Sequence, residues 1–393
     1  MIYLVWCLLG ILSFIKRNNK FVSFLVALFI LCVFCFNTAN PDLDNYVANY
    51  NFKAIDYTEP IFVFLSYIFN SADLSFEMFR FFLVAICLLL IVNTIYKYSP
   101  YPTLVLFLYT IYPMTIDVVQ LRFFVGYSIV LFAIRYIVDY QHEKQTKFVF
   151  IYFLFIIIAT GCHYACFLYS ILGMMFLKIE KHKFLYLFFI PMCAITFLLM
   201  IDKFVPLIAY IVGDHKAYLW ASKEKAATGL NMLRIIVSRY MPLMFIIFIT
   251  YINRNALFKE LYGKNMPRGV GMFFKDTSSK IVKGYTQLYD MTINRSLFIS
   301  IYYISLFAIL EITIASDYER MTRLSLLLCA ILFSRQLHYL TGTNKKVAYI
   351  LLLLLFVLYF VSIMFFMSAK HAGSLYIYID YVFRMVMDNN SLF

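Results

Sequence analysis

A chain of 393 residues that is 63% hydrophobic and 14% charged, with a mean hydropathy of +0.81, excludes a soluble enzyme and defines an integral membrane protein. The net charge of +13 is explained by basic loops held on the inner side of a membrane and calls for no nucleic acid. Of the eight cysteines, Cys7, Cys32, Cys35, Cys87, Cys193 and Cys329 fall inside apolar runs, where they behave as small hydrophobes. Cys32 and Cys35 have the spacing of a redox pair, but burial in lipid argues against that chemistry.

The first apolar run, Ile2 to Ile15, has no positive segment ahead of it, so it reads as a short first span and not as a cleavable signal peptide. Lys16, Arg17 and Lys20 precede a second run over 21–36, and a polar stretch from Asn40 to Glu59 follows. Further runs lie at 78–96, 101–116, 119–138, 148–160, 164–177, 184–201, 233–252, 295–314, 321–340 and 347–368. Each approaches the length that crosses roughly 30 Å of hydrocarbon, giving an all-α, polytopic protein of about twelve transmembrane helices. The fourth to seventh runs are short or closely spaced, which leaves room for a re-entrant segment. Residues 1–393 read as a single membrane domain, with an outer loop over 38–77 and a basic inner loop over 253–294. The aromatic residues, 20% of the chain, gather near run ends as interfacial anchors.

Orientation follows from the cations. If Lys16, Arg17 and Lys20 are cytoplasmic, alternation places Lys97, Lys144, Lys147, Lys178, Lys181, Lys183, the 253–294 loop, Lys345 and Lys346 there too, with both termini outside. Costly ionisable groups then collect on the outer side: Asp42, Asp44, Glu59, Arg80, Arg122, His163 and the Ser316 to Arg323 segment, joined by Arg239 within a run. Such groups line a cavity or pair with one another, which makes a single outward polar site the economical reading.

Each candidate has a functional and a structural account. Pro41 and its Asn and Asp neighbours favour a turn that starts a helix, putting Tyr46 and Tyr50 one turn apart on a common face. Asp42-Leu43-Asp44 has the D-x-D form that many sugar transferases use towards a metal-bound phosphate, or else Asp42 caps the helix and Asp44 is solvated. Glu59, before Pro60, is a possible base on a sugar hydroxyl if an apolar wall raises its proton affinity. Arg122 offers a planar fork to phosphate oxygens, with Arg239, Arg320 or Arg323 to complete a pyrophosphate clamp, or it forms only a structural pair with Asp117. His163 is either a satisfied interhelical histidine or a group that binds substrate or moves a proton. Cys162, His163 and Cys166 are too crowded for a metal site and have no fourth ligand near in sequence, so no metal is assigned.

The order Asn40-Pro41-Asp42, Tyr46, Tyr50, Glu59-Pro60, Arg122 with Gly126 one turn later, and His163-Tyr164-Ala165 resembles the EpsG family over roughly residues 1 to 345. Members tend to carry Gln directly after the Arg; here Phe123 stands there and Gln120 lies two residues before the Arg. Arg320 and Arg323 resemble the Arg-containing outer segment of the family. The resemblance implies a Wzy-like, GT-C-like membrane architecture and a polymerase of bacterial exopolysaccharide, capsule or O-antigen. Its substrate would be an undecaprenyl-pyrophosphate-linked oligosaccharide, joined at the outer face of the cytoplasmic membrane without a cofactor. Membrane lipid, a flippase and a chain-length regulator of the same pathway are the implied partners. In that frame Asp42, Asp44, Glu59 or His163 serves as base, Arg122 with Arg320 or Arg323 as clamp, and Tyr46 and Tyr50 stack on sugar faces. Arg239 and Arg80 are the remaining substrate-binding candidates. A lipid-linked oligosaccharide flippase, a ligase, a single-sugar transferase and an acyltransferase are the alternatives.

Overall fold

The computed structural model describes residues 2–37, 42–51, 59–177, 285–306 and 319–338, with a few isolated positions besides. Among the described residues all regular structure is helical: α1 (Ile2–Ile15), α2 (Lys20–Phe36), α3 (Leu43–Asn51), α4 (Pro60–Ser71), α5 (Phe76–Tyr98), α6 (Pro102–Ile111), α7 (Met114–Asp117), α8 (Leu121–Glu143), α9 (Lys147–Cys162), a 3₁₀ helix (Tyr164–Phe176), α10 (Tyr285–Ser305) and α11 (Glu319–His338). The expected spans at 184–201, 233–252 and 347–368 lie outside the described residues, as do Arg239 and most of the 253–294 loop.

Two of these helices, α5 and α8, have 23 residues each and are apolar enough to cross a bilayer. At 1.5 Å per residue such a helix is about 34 Å long, against roughly 30 Å of hydrocarbon. The other apolar helices up to the 3₁₀ helix have 10–17 residues, so the twelve-span count is not reached at full length among the described residues. The run expected at 101–116 shows why. It folds as α6, a turn at Tyr112-Pro113, and the single-turn α7, because proline lacks the N–H that would continue the helix. Every residue of α6 is buried, as suits a half-length helix enclosed by protein. The run at 164–177 is a 3₁₀ helix and not an α-helix, and α10 begins at Tyr285, inside the stretch expected as loop.

By packing, the chain divides into two compact units, Met1–Ser170 with Ala330–Phe393, and Ile171–Cys329. In the first unit the contacts sort the helix termini into two ends. At one end, Lys97 at the close of α5 bonds both carboxylate oxygens of Asp139 in α8 at 3.0 and 3.1 Å. There too Thr103 at the start of α6 donates its N–H to the Arg17 carbonyl at 3.0 Å, and Arg17 lies over the Tyr101 ring. The close of α11 joins them through Arg335, which donates to the Tyr98 carbonyl at 2.9 Å, and through the Ser99 and Ser334 hydroxyls at 2.6 Å.

At the other end, Arg80 in the first turns of α5 donates to the Cys35 and Asn37 carbonyls that close α2. Phe34 near the close of α2 meets Phe124 at the start of α8, ring centroids 4.5 Å apart. Helices α5 and α8 therefore run parallel, and residues 102–120 carry the chain back between their ends in a broken crossing. The basic residues read from sequence as one side, Lys16, Arg17, Lys20, Lys97, Lys144 and Lys147, fall at the first end. Glu59, Arg80, Arg122 and His163 fall at the second.

In the second unit α10 and the start of α11 carry an unusual polar content for apolar helices. Thr292, Asn294, Arg295, Ser296 and Ser300 are buried on α10, and Arg323 on α11 is 1% exposed.

Candidate functional site

The site is built on four helix termini. Glu59 is held extended by the proline that follows it and stands at the N-cap position of α4 without a side-chain capping bond, with Pro60 in the first helical position. Its carboxylate thereby sits at the positive end of the α4 dipole. Arg122 occupies the first turn of α8, where a cation opposes the helix dipole and needs an anion nearby. That anion is Glu59: Arg122 Nη1 donates to Glu59 Oε2 at 2.8 Å. The Glu59 side chain is only 2% exposed, whereas that of Arg122 is 26% exposed, so the carboxylate is the more deeply buried member of the pair. The partner weighed from sequence, Asp117, instead accepts the Tyr109 hydroxyl at 2.9 Å in the core.

Helix α3 supplies the aromatic ring that backs the guanidinium. As expected, the chain turns at Asp42, whose carbonyl accepts the Tyr46 N–H at 3.0 Å, and Tyr46 and Tyr50 share one face; that face is buried, and not open for stacking on sugars. The two phenols then part company. Tyr46 lies under the Arg122 guanidinium, 5.8 Å from ring centroid to charge centre, a cation–π distance. Burial pushes the Tyr46 phenol above its ordinary range, Arg122 draws it down, and Asp42 adds to the upward push, which also sets Asp42 within electrostatic reach. Tyr50 packs against Phe76 and Phe79 and donates to the Leu74 carbonyl at 2.7 Å, an anchor for α3. Asp44 is exposed.

His163 ends α9 and is 5% exposed. Its ring stands edge-on to Phe123 at 5.3 Å and stacks on Tyr164 at 5.1 Å. Phe123, the residue after Arg122, thus meets His163 directly. The close packing of α8 on α9 that makes this contact rests on Gly126: a Cβ there would come 2.5 Å from Cys166 Sγ and 3.2 Å from the Ala159 carbonyl oxygen. Gly161 plays the same part for α4, where a Cβ would meet Ile61 at 2.6 Å. Glu59 lies within electrostatic reach of Cys162 and Cys166.

Of the residues singled out in sequence, Asp42, Tyr46, Glu59 and Arg122 come together, while His163 packs on Phe123, the residue after Arg122. Arg80 does not face them as a free cation: it is buried and spent on the carbonyls that end α2. Arg320, half-exposed, and Arg323, buried, open α11 in the second unit. The pairing of Glu59 with Arg122 was missed because 63 residues separate them; the available signal was an arginine placed in a helix first turn.

A helical protein with two helices long and apolar enough to cross a bilayer, and with a buried carboxylate paired to an arginine at one end of its first unit, has the features of a membrane protein. Residues 20–380 match the sequence model of the EpsG family, and the chain belongs to that family: it is a membrane protein of exopolysaccharide biosynthesis. No curated protein and no solved structure gives a significant match.

Proposed function

We propose that the protein is a polymerase joining undecaprenyl-pyrophosphate-linked oligosaccharide repeat units at the outer face of the bacterial cytoplasmic membrane. The observation that carries this reading is the Glu59–Arg122–Tyr46 arrangement. It holds one guanidinium edge at 2.8 Å from a carboxylate while leaving the side chain 26% exposed. An arginine fixed in this way offers a preorganised fork to a departing pyrophosphate.

In the proposed reaction a hydroxyl oxygen of the incoming unit attacks the anomeric carbon of the growing chain. The bond from that carbon to the lipid pyrophosphate breaks, and the leaving oxygen keeps the electron pair. The hydroxyl proton passes to a carboxylate base. Asp42 suits that role: it is half-exposed and close to Tyr46, whereas Glu59 is buried against Arg122. Glu59 is then a positioning residue that acts through Arg122. Tyr46 packs against the guanidinium, and Tyr50 anchors its helix. A ligase or a single-sugar transferase would use the same groups, and a flippase or an acyltransferase would form no glycosidic bond.

The test is reconstitution with lipid-linked repeat units and analysis of product length, with and without chelator. A ladder of polymer supports the reading. One addition only marks a ligase or transferase, and no glycosidic change marks a flippase or acyltransferase; either overturns it.

A further inference from the structure

We infer that α4 is an interfacial helix: it lies along the membrane at the Glu59 end of the first unit and sets Phe64, Tyr67 and Ile68 into the hydrocarbon of that leaflet. The inference goes beyond the polymerase reading and does not depend on it; it needs only that α5 crosses a bilayer. The stretch 38–77 is expected from sequence as a loop, yet it contains a helix of 12 residues without one charged side chain.

Both ends of α4 are tied to the same end of the first unit. Its start is fixed where Glu59 accepts from Arg122, in the first turn of α8, and where Ile61 stands against Gly161 in the last turn of α9. Its close is fixed where Asn70 Nδ2 donates to the Tyr50 carbonyl at 3.1 Å. Tyr50 in turn donates to the Leu74 carbonyl, next to the Ser75 cap of α5. Phe62 and Phe69, two turns apart on α4, meet the same ring, Phe79, at 5.7 and 5.4 Å. Two such residues on a helix packed lengthwise along α5 would meet partners about 10 Å apart, so α4 crosses the head of α5 instead. Its length of about 18 Å is also too short to cross roughly 30 Å of hydrocarbon. Phe79 precedes Lys97 by 18 residues on α5. That distance of about 27 Å puts the crossing near the membrane boundary opposite Lys97.

Exposure on α4 follows one face. Pro60, Phe64, Tyr67, Ile68 and Ser71 are exposed at helical spacing, with Phe64 at 60% and Ile68 at 43%, while Phe62 is buried. The Ser66 hydroxyl donates to the Phe62 carbonyl at 3.0 Å, and Asn70 is bonded to α3. Apolar groups face out and these polar ones are satisfied within the protein, as a lipid surrounding demands. Helix α3 is the reverse, with Leu43, Tyr46 and Tyr50 turned in and Asp44, Asn45, Ala48 and Asn51 exposed. It faces water.

Hydrocarbon is the occupant because α4 adjoins the lipid-facing side of a span. On α5, Phe82, Ile86 and Leu89 form an exposed column along a 23-residue apolar helix. Phe69 of α4 meets Phe82 at the head of that column, ring centroids 5.9 Å apart. Lipid that covers α5 therefore reaches α4. Because α4 starts at Glu59, the pair of Glu59 and Arg122 stands at the level of the lipid head groups.

The placement is read by tryptophan fluorescence of full-length protein in vesicles of phosphatidylethanolamine and phosphatidylglycerol. Phe64→Trp and Ile68→Trp mark the outer face of α4, Ala48→Trp the exposed face of α3 and Leu89→Trp the column on α5. Each is measured as emission added over the parent protein, which carries Trp6 and Trp220. Lipids brominated near the head group should quench Phe64→Trp and Ile68→Trp by about half, since an interfacial helix sits roughly 5–10 Å into the boundary. Aqueous iodide should barely affect them. Ala48→Trp should show the opposite pattern, and Leu89→Trp should respond most to lipids brominated near the chain ends. Iodide quenching of both α4 variants at the level of Ala48→Trp would return α4 to water. Strongest quenching by the chain-end bromines would make it a deep, re-entrant helix, and quenching by neither agent would mean that protein covers the face; each overturns the inference. Two α4 positions are used so that one misfolded variant, recognised by gel filtration, leaves the other to decide.

Discussion

At the residue scale, the pair of Glu59 and Arg122 separates a phosphate-binding arginine from a structural one. Arg122→Lys keeps the charge and loses the planar fork, so polymer should fall by about a hundredfold at normal protein abundance, with single lipid-linked units accumulating. Glu59→Gln removes the anion that orients the guanidinium at 2.8 Å and should give a milder loss. Because Glu59 is taken to act through Arg122, the double variant should be no worse than Arg122→Lys alone. A double variant clearly worse than either single one would give Glu59 a function of its own. The base is tested by a second pair: Asp42→Asn should lower turnover by about a hundredfold or more. Asp44→Asn, at an exposed position, should leave it within about twofold. Equal losses in the two would remove the assignment to Asp42.

At the scale of elements, the site depends on how closely α9 lies against α8 and α4. Gly126→Ala would bring a methyl group 2.5 Å from Cys166 Sγ and should cost about 1–3 kcal/mol of stability. Cys166→Ala removes the nearest obstacle, so the double variant should recover part of the melting temperature lost in detergent; no recovery would mean that the Ala159 carbonyl oxygen, at 3.2 Å, is the true limit. Several of these elements were legible in the sequence. The turn at Asp42 and the common face of Tyr46 and Tyr50 follow from local rules, whereas the burial of that face and the helix α4 inside the stretch expected as outer loop were not read. Pro113 marked the break in the 101–116 run, but hydropathy averages across a proline and read one span. Arg80 was misjudged as a free cation for a related reason. Its partners are backbone carbonyls at Cys35 and Asn37, which no side-chain pattern announces.

At the scale of the whole molecule, the division of charged groups between two ends was legible because the basic-loop pattern is a property of the entire chain. Which ionisable groups meet was not, since pairs such as Glu59 with Arg122 and Lys97 with Asp139 join helices far apart in sequence. The two ends make a testable statement about the membrane. Asp44 and Gln145 are both exposed, and they lie at opposite ends of the first unit, one on the helix whose Tyr46 meets Arg122 and the other beyond Asp139. If the site faces outward, Asp44→Cys should react with a membrane-impermeant maleimide in intact cells, and Gln145→Cys should react only after permeabilisation. The native cysteines set the background, and among the described residues Cys7 is the exposed one to replace first. Reversal of the two patterns would turn the site to the cytoplasm, where a lipid-linked unit has not yet been translocated, and the polymerase reading would fail with it. Labelling of both positions from outside would instead show that α8 and the loop after it do not cross, and would remove the parallel arrangement of α5 and α8 as a transmembrane pair.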